Sequence, residues 1–235
     1  KKADLWAGQN RPELNDNDAD VLIFSVPYDE GVSFRSGAKD APKAVLELTW
    51  NIDPITEDFE SYDGLKVVDL GDVSGSDRES MFADAEEKAY NAVKKEKFFT
   101  VIGGDHSITI PVQKGIDNAL DEQFGIIHID AHFDLCDELY GDKLSHGSTE
   151  RRALELENIA GPENLFFLGI RSMENDEFEF FHNNKVACIT SKDIFENGVD
   201  AAIKKVKEHF SNYNKIYLTV DIDCLDPAYA PGTGT

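Results

Sequence analysis

Cysteine, basic residues and long hydrophobic runs are all scarce in this chain of 235 residues. Its three cysteines, Cys136, Cys188 and Cys224, are odd in number and match neither a metal-ligand spacing nor a disulfide framework. The longest apolar runs, such as residues 21–26, have the length of a strand, far short of the roughly 20 residues that span a membrane. Residues 1–6 show no apolar segment of a secretory signal. We therefore expect a cytoplasmic protein with reduced thiols.

The deficit of basic residues leaves a strongly acidic chain. Lys and Arg number 23 against 46 Asp and Glu, so that the formal net charge is −23. Nucleic acids and anionic membranes recruit proteins through clustered positive charge, and the sequence argues against both as partners. The same charge is compatible with a cationic small-molecule substrate, although a well-solvated acidic surface is the more common explanation of such a charge.

No linker, repeat or break in composition divides the chain, and we expect a single domain over residues 1–235. Near-continuous apolar runs alternate with helical patterns, which predicts a mostly parallel sheet covered by helices on both faces. The predicted strands are 21–26, 65–69, 98–102, 124–129, 165–168, 186–190 and 216–220. The predicted helices are 41–48, 79–95, 110–122, 150–156, 175–182 and 199–210.

Acidic residues and histidines cluster directly after three of these predicted strands. In parallel sheets, ligand sites lie beyond the carboxyl ends of the strands, and alternation along an extended backbone predicts that 130, 132 and 134 share a side. Burying such carboxylates without compensation costs several kcal/mol per ion, so the pattern predicts bound cations. Two divalent ions would neutralise the four aspartates. The candidate metal ligands are His106, Asp130, His132, Asp134, Asp221 and Asp223.

Carboxylate oxygens mixed with imidazole and no thiolate favour Mn²⁺ over zinc or copper, with Mg²⁺, Fe²⁺ and Co²⁺ open. Cys224 follows a candidate ligand, and we expect it to serve packing. His146 lies in the loop after the second acidic segment and is a candidate proton donor. An exposed loop histidine is the equally plausible alternative.

Taken together, the motifs resemble those of the ureohydrolase (arginase/agmatinase) family, in order and approximate spacing. The resemblance extends from the first strand to the last residue. It rests on Gly103-Gly104-Asp105-His106-Ser107, Asp130-Ala131-His132-Phe133-Asp134, Ser145-His146-Gly147, Gly169-Ile170-Arg171 and Asp221-Ile222-Asp223-Cys224-Leu225-Asp226-Pro227.

The resemblance implies a three-layer α/β/α fold and a binuclear manganese centre with two Mn²⁺ per chain. By motif position, the first ion would be bound by His106, Asp130, Asp134 and Asp221, and the second by His132, Asp130, Asp221 and Asp223. A metal-bridging hydroxide would attack the guanidinium carbon. His146 corresponds to the family's proton-shuttling histidine, and Asp134 to a residue that also stabilises the intermediate. Family members are usually trimers or hexamers.

Within the family, the stretch from Asp221 to Thr235 looks most like agmatinases, which convert agmatine to putrescine and urea. The loop at 135–144 carries Asp137, Glu138 and Asp142, which would repel the α-carboxylate of arginine. The alternatives are a guanidinobutyrase, a formimidoylglutamase or an arginase. A non-catalytic polyamine-pathway binding protein of the same fold is a further alternative.

The sequence departs from the family pattern at its end. The family carries a further acidic residue that pairs with the guanidinium group, and it would lie beyond Thr235. A last strand and a C-terminal helix would follow there too. We therefore expect the native protein to continue past this residue.

Overall fold

A computed structural model describes residues 5–233, which cluster into two compact units. The first unit comprises described residues 5–30 and Ser36–Ala119, and the second comprises Gly31–Arg35 and described residues 120–233. The prediction of a single domain stays a prediction. Each unit is a parallel sheet with helices, as the alternating pattern of the sequence predicts.

The first unit contains three parallel strands in the order β2-β1-β3. Apolar β-branched and aromatic residues form these strands, and the helices between them make the parallel crossovers possible. Helix α2 begins where the Asp77 side chain accepts a hydrogen bond from the backbone N of Ser80 at 2.9 Å, a capping box. The elements are β1 (Val21–Val26), α1 (Ala41–Thr49), β2 (Val67–Asp72), α2 (Arg78–Lys94), β3 (Phe98–Gly103) and α3 (Thr109–Ala119).

One face of this sheet forms a small core with α2. Leu22 of β1 and Val68 of β2 are buried against Ala92 of α2, with Phe99 of β3 packed beside them. Helix α2 also packs along α3. Strand β3, which leads to His106, is therefore held by its pairing with the buried strand β1 and by the packing of Phe99 against this core.

The second unit contains four parallel strands in the order β6-β5-β4-β7. Strand β4, which leads into the acidic segment at 130–134, is interior and pairs with β5 and β7. The elements are β4 (Gly125–Ile129), α4 (Thr149–Ala153), β5 (Leu165–Ile170), α5 (Asn175–Asn183), β6 (Ala187–Thr190), α6 (Ser191–Asn197), α7 (Val199–His209) and β7 (Ile216–Val220).

Both faces of this second sheet are covered, so the unit has layers. On one face, Phe166 of β5 packs with Ala202 and Phe210 from α7 and the residue after it. On the other face, Phe167 packs edge-on against Phe133 with ring centroids 5.0 Å apart. The second face therefore lies under the 130–134 segment.

All seven predicted strands are confirmed, with small differences at their ends. The strand predicted at 65–69 is β2 at Val67–Asp72, and the helix predicted at 110–122 ends at Ala119. Helix α6 was missing from the sequence prediction because its seven residues show no long apolar stripe. The strands pair as two sheets, whereas the sequence suggested a single one. None of the helices in the described part of the chain combines the length and hydrophobicity needed to cross a bilayer.

Candidate metal centre

The segment from Asp130 to Asp134 is a turn that begins where β4 ends at Ile129. The backbone N of Asp130 still donates to the Leu168 carbonyl of β5 at 3.0 Å, and the Asp130 carboxylate accepts from the His132 backbone N at 2.7 Å. Asp134 has a left-handed backbone with φ of 52°, a conformation that aspartate tolerates better than most residues. The extended backbone predicted for this segment is therefore wrong, because a turn positions these side chains.

A second turn, directly after β7, carries the other two candidate aspartates. The Asp221 side chain accepts a hydrogen bond from the Asp223 backbone N at 2.9 Å and caps a single 3₁₀ turn over Ile222–Cys224. Asp223 Oδ1 in turn accepts from the backbone N of Ala131 at 3.1 Å. This bond ties the two acidic turns together.

Arg171 fastens the second turn from the end of β5. Its guanidinium donates to the backbone carbonyls of Asp223 at 2.5 Å and Leu225 at 3.3 Å. Its own backbone N donates to the Ala131 carbonyl at 2.8 Å. One residue therefore holds both turns by their backbones, although the sequence analysis assigned it no role.

Two groups of potential ligand atoms result, and both include Asp130. Atoms of Asp130, His132 and Asp223 all lie within 4.8 Å of one another, as do atoms of His128, Asp130 and Asp134. Asp130 is only 1% exposed. A buried carboxylate shared by two groups is the arrangement expected of a bridging metal ligand.

The electrostatics of these groups favour positive charge. His132 Nδ1 lies 3.1 Å from Asp223 Oδ2 and 3.4 Å from Asp130 Oδ1. Hydrogen bonds to Asp130 and Asp223 raise the pKa of His132 to about 10. A proton on His132 thus occupies the place that a metal cation would take.

The residues present fit a divalent metal. Carboxylate oxygens and imidazole nitrogen are the donors that Mn²⁺ and related ions accept. The three cysteines are free and none belongs to either group. Burial raises the pKa of Cys224, in keeping with the packing role expected of it.

The remaining predicted site residues lie in different places. Asp221 belongs to neither ligand group within the second unit. His146 begins the 3₁₀ turn His146–Ser148 before α4, and its buried Nδ1 makes no hydrogen bond with any residue that the structure describes. Gly234 and Thr235, which end the agmatinase-like stretch, lie outside the described residues.

His106 lies in the first unit, directly after β3. The chain reaches it through Gly104, where an added Cβ would come within 1.7 Å of the Tyr28 carbonyl oxygen. The backbone N of Asp105 donates to that same oxygen at 2.8 Å, and the Asp105 side chain caps the turn through the backbone N of Ser107. His106 is thus set on a tightly held, mostly buried turn. Its role as a metal ligand stays a prediction.

Sequence reasoning overlooked several buried polar residues of the second unit. Glu177 accepts from the backbone N of Leu135 at 2.8 Å, just after Asp134, and burial raises the pKa of its carboxyl group. His128 and Glu150 are fully buried beside the acidic turn. His128 is a polar residue inside an apolar strand, a signal that could have revealed it. Glu150 and Glu177 give no such signal.

A family model described as the arginase family matches residues 19–235 of this chain. The chain belongs to the arginase family. Among its relatives, an agmatinase of Edwardsiella ictaluri is 34% identical, over 94% of this chain and 71% of that protein. A guanidinobutyrase of Pseudomonas aeruginosa is 30% identical, over 92% of this chain and 69% of that protein.

The solved structures agree on the fold of this arginase-family chain. The agmatine ureohydrolase of Thermoplasma volcanium superimposes with a TM-score of 0.81 at 31% identity, covering 98% of this chain and 74% of that one. This likeness confirms the three-layer α/β fold implied by the motifs.

Proposed function

We propose that this arginase-family chain is a metal-dependent hydrolase of a guanidinium compound, with agmatine as substrate and putrescine and urea as products. The observation that carries the proposal is the buried Asp130 carboxylate, shared by two groups of ligand atoms. The relatives named agmatinase and agmatine ureohydrolase, at 34% and 31% identity, support the choice of substrate.

Two Mn²⁺ ions would be held by six side chains, among them Asp130 and Asp221. Such a pair supplies an activated water as nucleophile at neutral pH. Asp221 and His106 are assigned as ligands from their motifs alone. The other four ligands are also supported by their closeness to one another in the second unit. The proposed ligands are His106, Asp130, His132, Asp134, Asp221 and Asp223.

A residue of the chain would supply the proton for the leaving group. Hydrolysis breaks the bond between the guanidinium carbon and the amine nitrogen, and the departing amine needs a proton. We assign that proton to His146, whose ring is half-buried and whose Nδ1 has no protein partner among the described residues. Asp134, which shares a ligand group with Asp130, would also help to stabilise the intermediate.

One of the three acids in the 135–144 loop has basic partners, which weakens the case for agmatine from charge. Asp137 lies 2.7 Å from Arg152 Nη2 and 3.5 Å from Lys143 Nζ, so its charge is largely offset. The hydrogen bond to Arg152 lowers the pKa of its carboxyl group. The repulsion expected of a substrate carboxylate is therefore weaker than the three acids of the loop suggest. Hydrolysis of 4-guanidinobutyrate, which carries a carboxylate, is therefore the second candidate, and the guanidinobutyrase relative favours it.

The test is urea release after reconstitution with Mn²⁺, using agmatine, arginine and 4-guanidinobutyrate in parallel. We expect the highest kcat/KM for agmatine, about two Mn per chain by elemental analysis, and loss of both in Asp130→Asn. Glu179→Gln, an exposed change on α5, is the matched control. Metal binding without urea release would favour a non-catalytic binding protein. Preference for another substrate would overturn the choice of agmatine.

Cytoplasmic location and assembly as a trimer or hexamer are part of the same proposal. Light scattering on the purified chain tests the assembly. A monomer at micromolar concentration would contradict it.

A further inference from the structure

The side chain of His128 is buried within the second sheet, on the face that underlies the acidic turn. It is 0% exposed, and its ring lies 5.1 Å from that of Phe167 between centroids. A polar ring in such surroundings costs free energy unless both nitrogens have partners. The partners of His128 therefore show what the ring does.

Both nitrogens of His128 face oxygen acceptors. Nδ1 lies 3.0 Å from Oε1 of Glu150. Nε2 lies 3.1 Å from the backbone carbonyl oxygen of His132 and 3.2 Å from Oδ2 of Asp130. A backbone carbonyl can only accept a hydrogen bond, so Nε2 must carry a proton. A protonated nitrogen has no lone pair for a metal, although this ring lies within one of the ligand groups.

Glu150 is the residue that holds the other side of the ring. Its side chain is 0% exposed, and its backbone N donates to the Asp134 carbonyl at 3.0 Å. It therefore contacts the acidic turn at two points, through His128 at the Asp130 end and directly at the Asp134 end. A buried carboxylate this close to an acidic cluster would be costly without the imidazole as its partner.

We propose that Glu150 and His128 are positioning residues that fix the Asp130 carboxylate and the His132 backbone for metal binding. Glu150 orients the ring through Nδ1, Nε2–H donates to the carbonyl of His132, and the ring lies in ion-pair contact with Oδ2 of Asp130. The inference rests on the proposed metal site. It adds to the proposed function two residues, Glu150 and His128, that touch neither metal nor substrate.

The test compares Glu150→Gln with Glu150→Leu. The amide oxygen of Gln can still accept from Nδ1–H, whereas Leu removes the acceptor at similar volume. We expect Glu150→Leu to lower Mn²⁺ affinity about 10–100-fold in an EPR titration, as loss of outer-shell partners does elsewhere. Glu150→Gln should stay close to the unaltered protein, and so should the exposed control Glu179→Gln.

A purely structural role predicts a different result. Glu150→Leu would then lower the unfolding temperature of the metal-free protein while leaving Mn²⁺ affinity unchanged, and the proposal would be overturned. Equal losses of affinity in Gln and Leu would also contradict it. If the unaltered protein binds no Mn²⁺, the proposed function fails. If it binds Mn²⁺ and Glu150→Leu binds it equally well, the inference alone fails.

Nitrogen NMR of the unaltered, metal-free protein needs no substitution that risks misfolding. We expect both ring nitrogens of His128 to show protonated shifts, assigned through correlations from the ring to its own backbone. On adding diamagnetic Zn²⁺, Nε2 should keep its proton. Loss of that proton on metal binding would make His128 a metal ligand and overturn the proposal.

Discussion

At the scale of single residues, the site depends on charged side chains that are each stabilised by an oppositely charged partner. His132 lies between Asp130 and Asp223, and its hydrogen bonds with them raise its pKa to about 10. The ring would therefore carry a proton at neutral pH in metal-free protein. A metal can bind this ring only after the proton has left.

Metal affinity should accordingly rise with pH. Because the pKa of His132 is raised, protons compete with metal throughout the range below about 10, and affinity falls up to tenfold per pH unit as the pH is lowered. Calorimetry at pH 8 in buffers of different ionisation enthalpy should detect release of protons on Mn²⁺ binding. Binding that is independent of pH between 7 and 9 would contradict this expectation.

Gly104 in the first unit has no room for a side chain. A methyl group at Gly104 would lie 1.7 Å from the Tyr28 carbonyl oxygen, so the backbone must move. We expect Gly104→Ala to lower the free energy of unfolding by about 1–3 kcal/mol or more, measured by urea denaturation. Gly232→Ala, where no atom lies within 4 Å of the added Cβ, is the matched control. Equal stability of the two variants would refute the steric account.

At the scale of elements, short turns after parallel strands position the candidate metal ligands. The turn after β7 has few apolar contacts of its own, and Ile222 and Leu225 within and beside it are exposed. It is held instead by the hydrogen bonds from Arg171 and by the bond from Ala131 to Asp223. Loss of the guanidinium should therefore release the turn without disturbing the strands.

We expect Arg171→Met to increase hydrogen exchange at residues 221–225 and to weaken Mn²⁺ binding. Exchange within β4 and β5 should stay unchanged, because their ladders do not involve the side chain. Lys204→Met on the exposed side of α7 is the control for loss of one positive charge. Unchanged exchange in the 221–225 turn would show that Arg171 does not hold it.

The same elements show where sequence reasoning succeeded. Continuous apolar runs identify buried parallel strands, and β1 and β7 begin and end at the predicted residues. Helix α6 was not predicted, because a helix of seven residues with a cap at Thr190 is too short to show a periodic apolar pattern. The edge strand β7 exposes Ile216, Leu218 and Val220. The expectation that the native chain continues with a further strand and helix stays a prediction.

At the scale of the whole molecule, the net charge of −23 acts on any charged ligand. Fields of this kind attract cations over about a Debye length, which shrinks from about 10 Å at 0.1 M salt to about 3 Å at 1 M. If agmatine is the substrate, kcat/KM should fall several-fold over that range while kcat changes little. Arginine, whose carboxylate leaves it with a smaller net positive charge than agmatine, should respond less. The measurement is steady-state urea release at matched pH, and an increase of kcat/KM with salt would contradict the account.

The sequence alone was sufficient for the class of fold, the positions of the strands and the identity of the acidic turns. These follow from short-range patterns: apolar runs, and polar residues placed just after them. Only the tertiary structure showed that turns rather than extended strands bring Asp130, His132 and Asp223 together. It also revealed the buried support from His128, Glu150 and Arg171. Such partners come from distant parts of the chain, and the packing that pairs them leaves no local periodic signal.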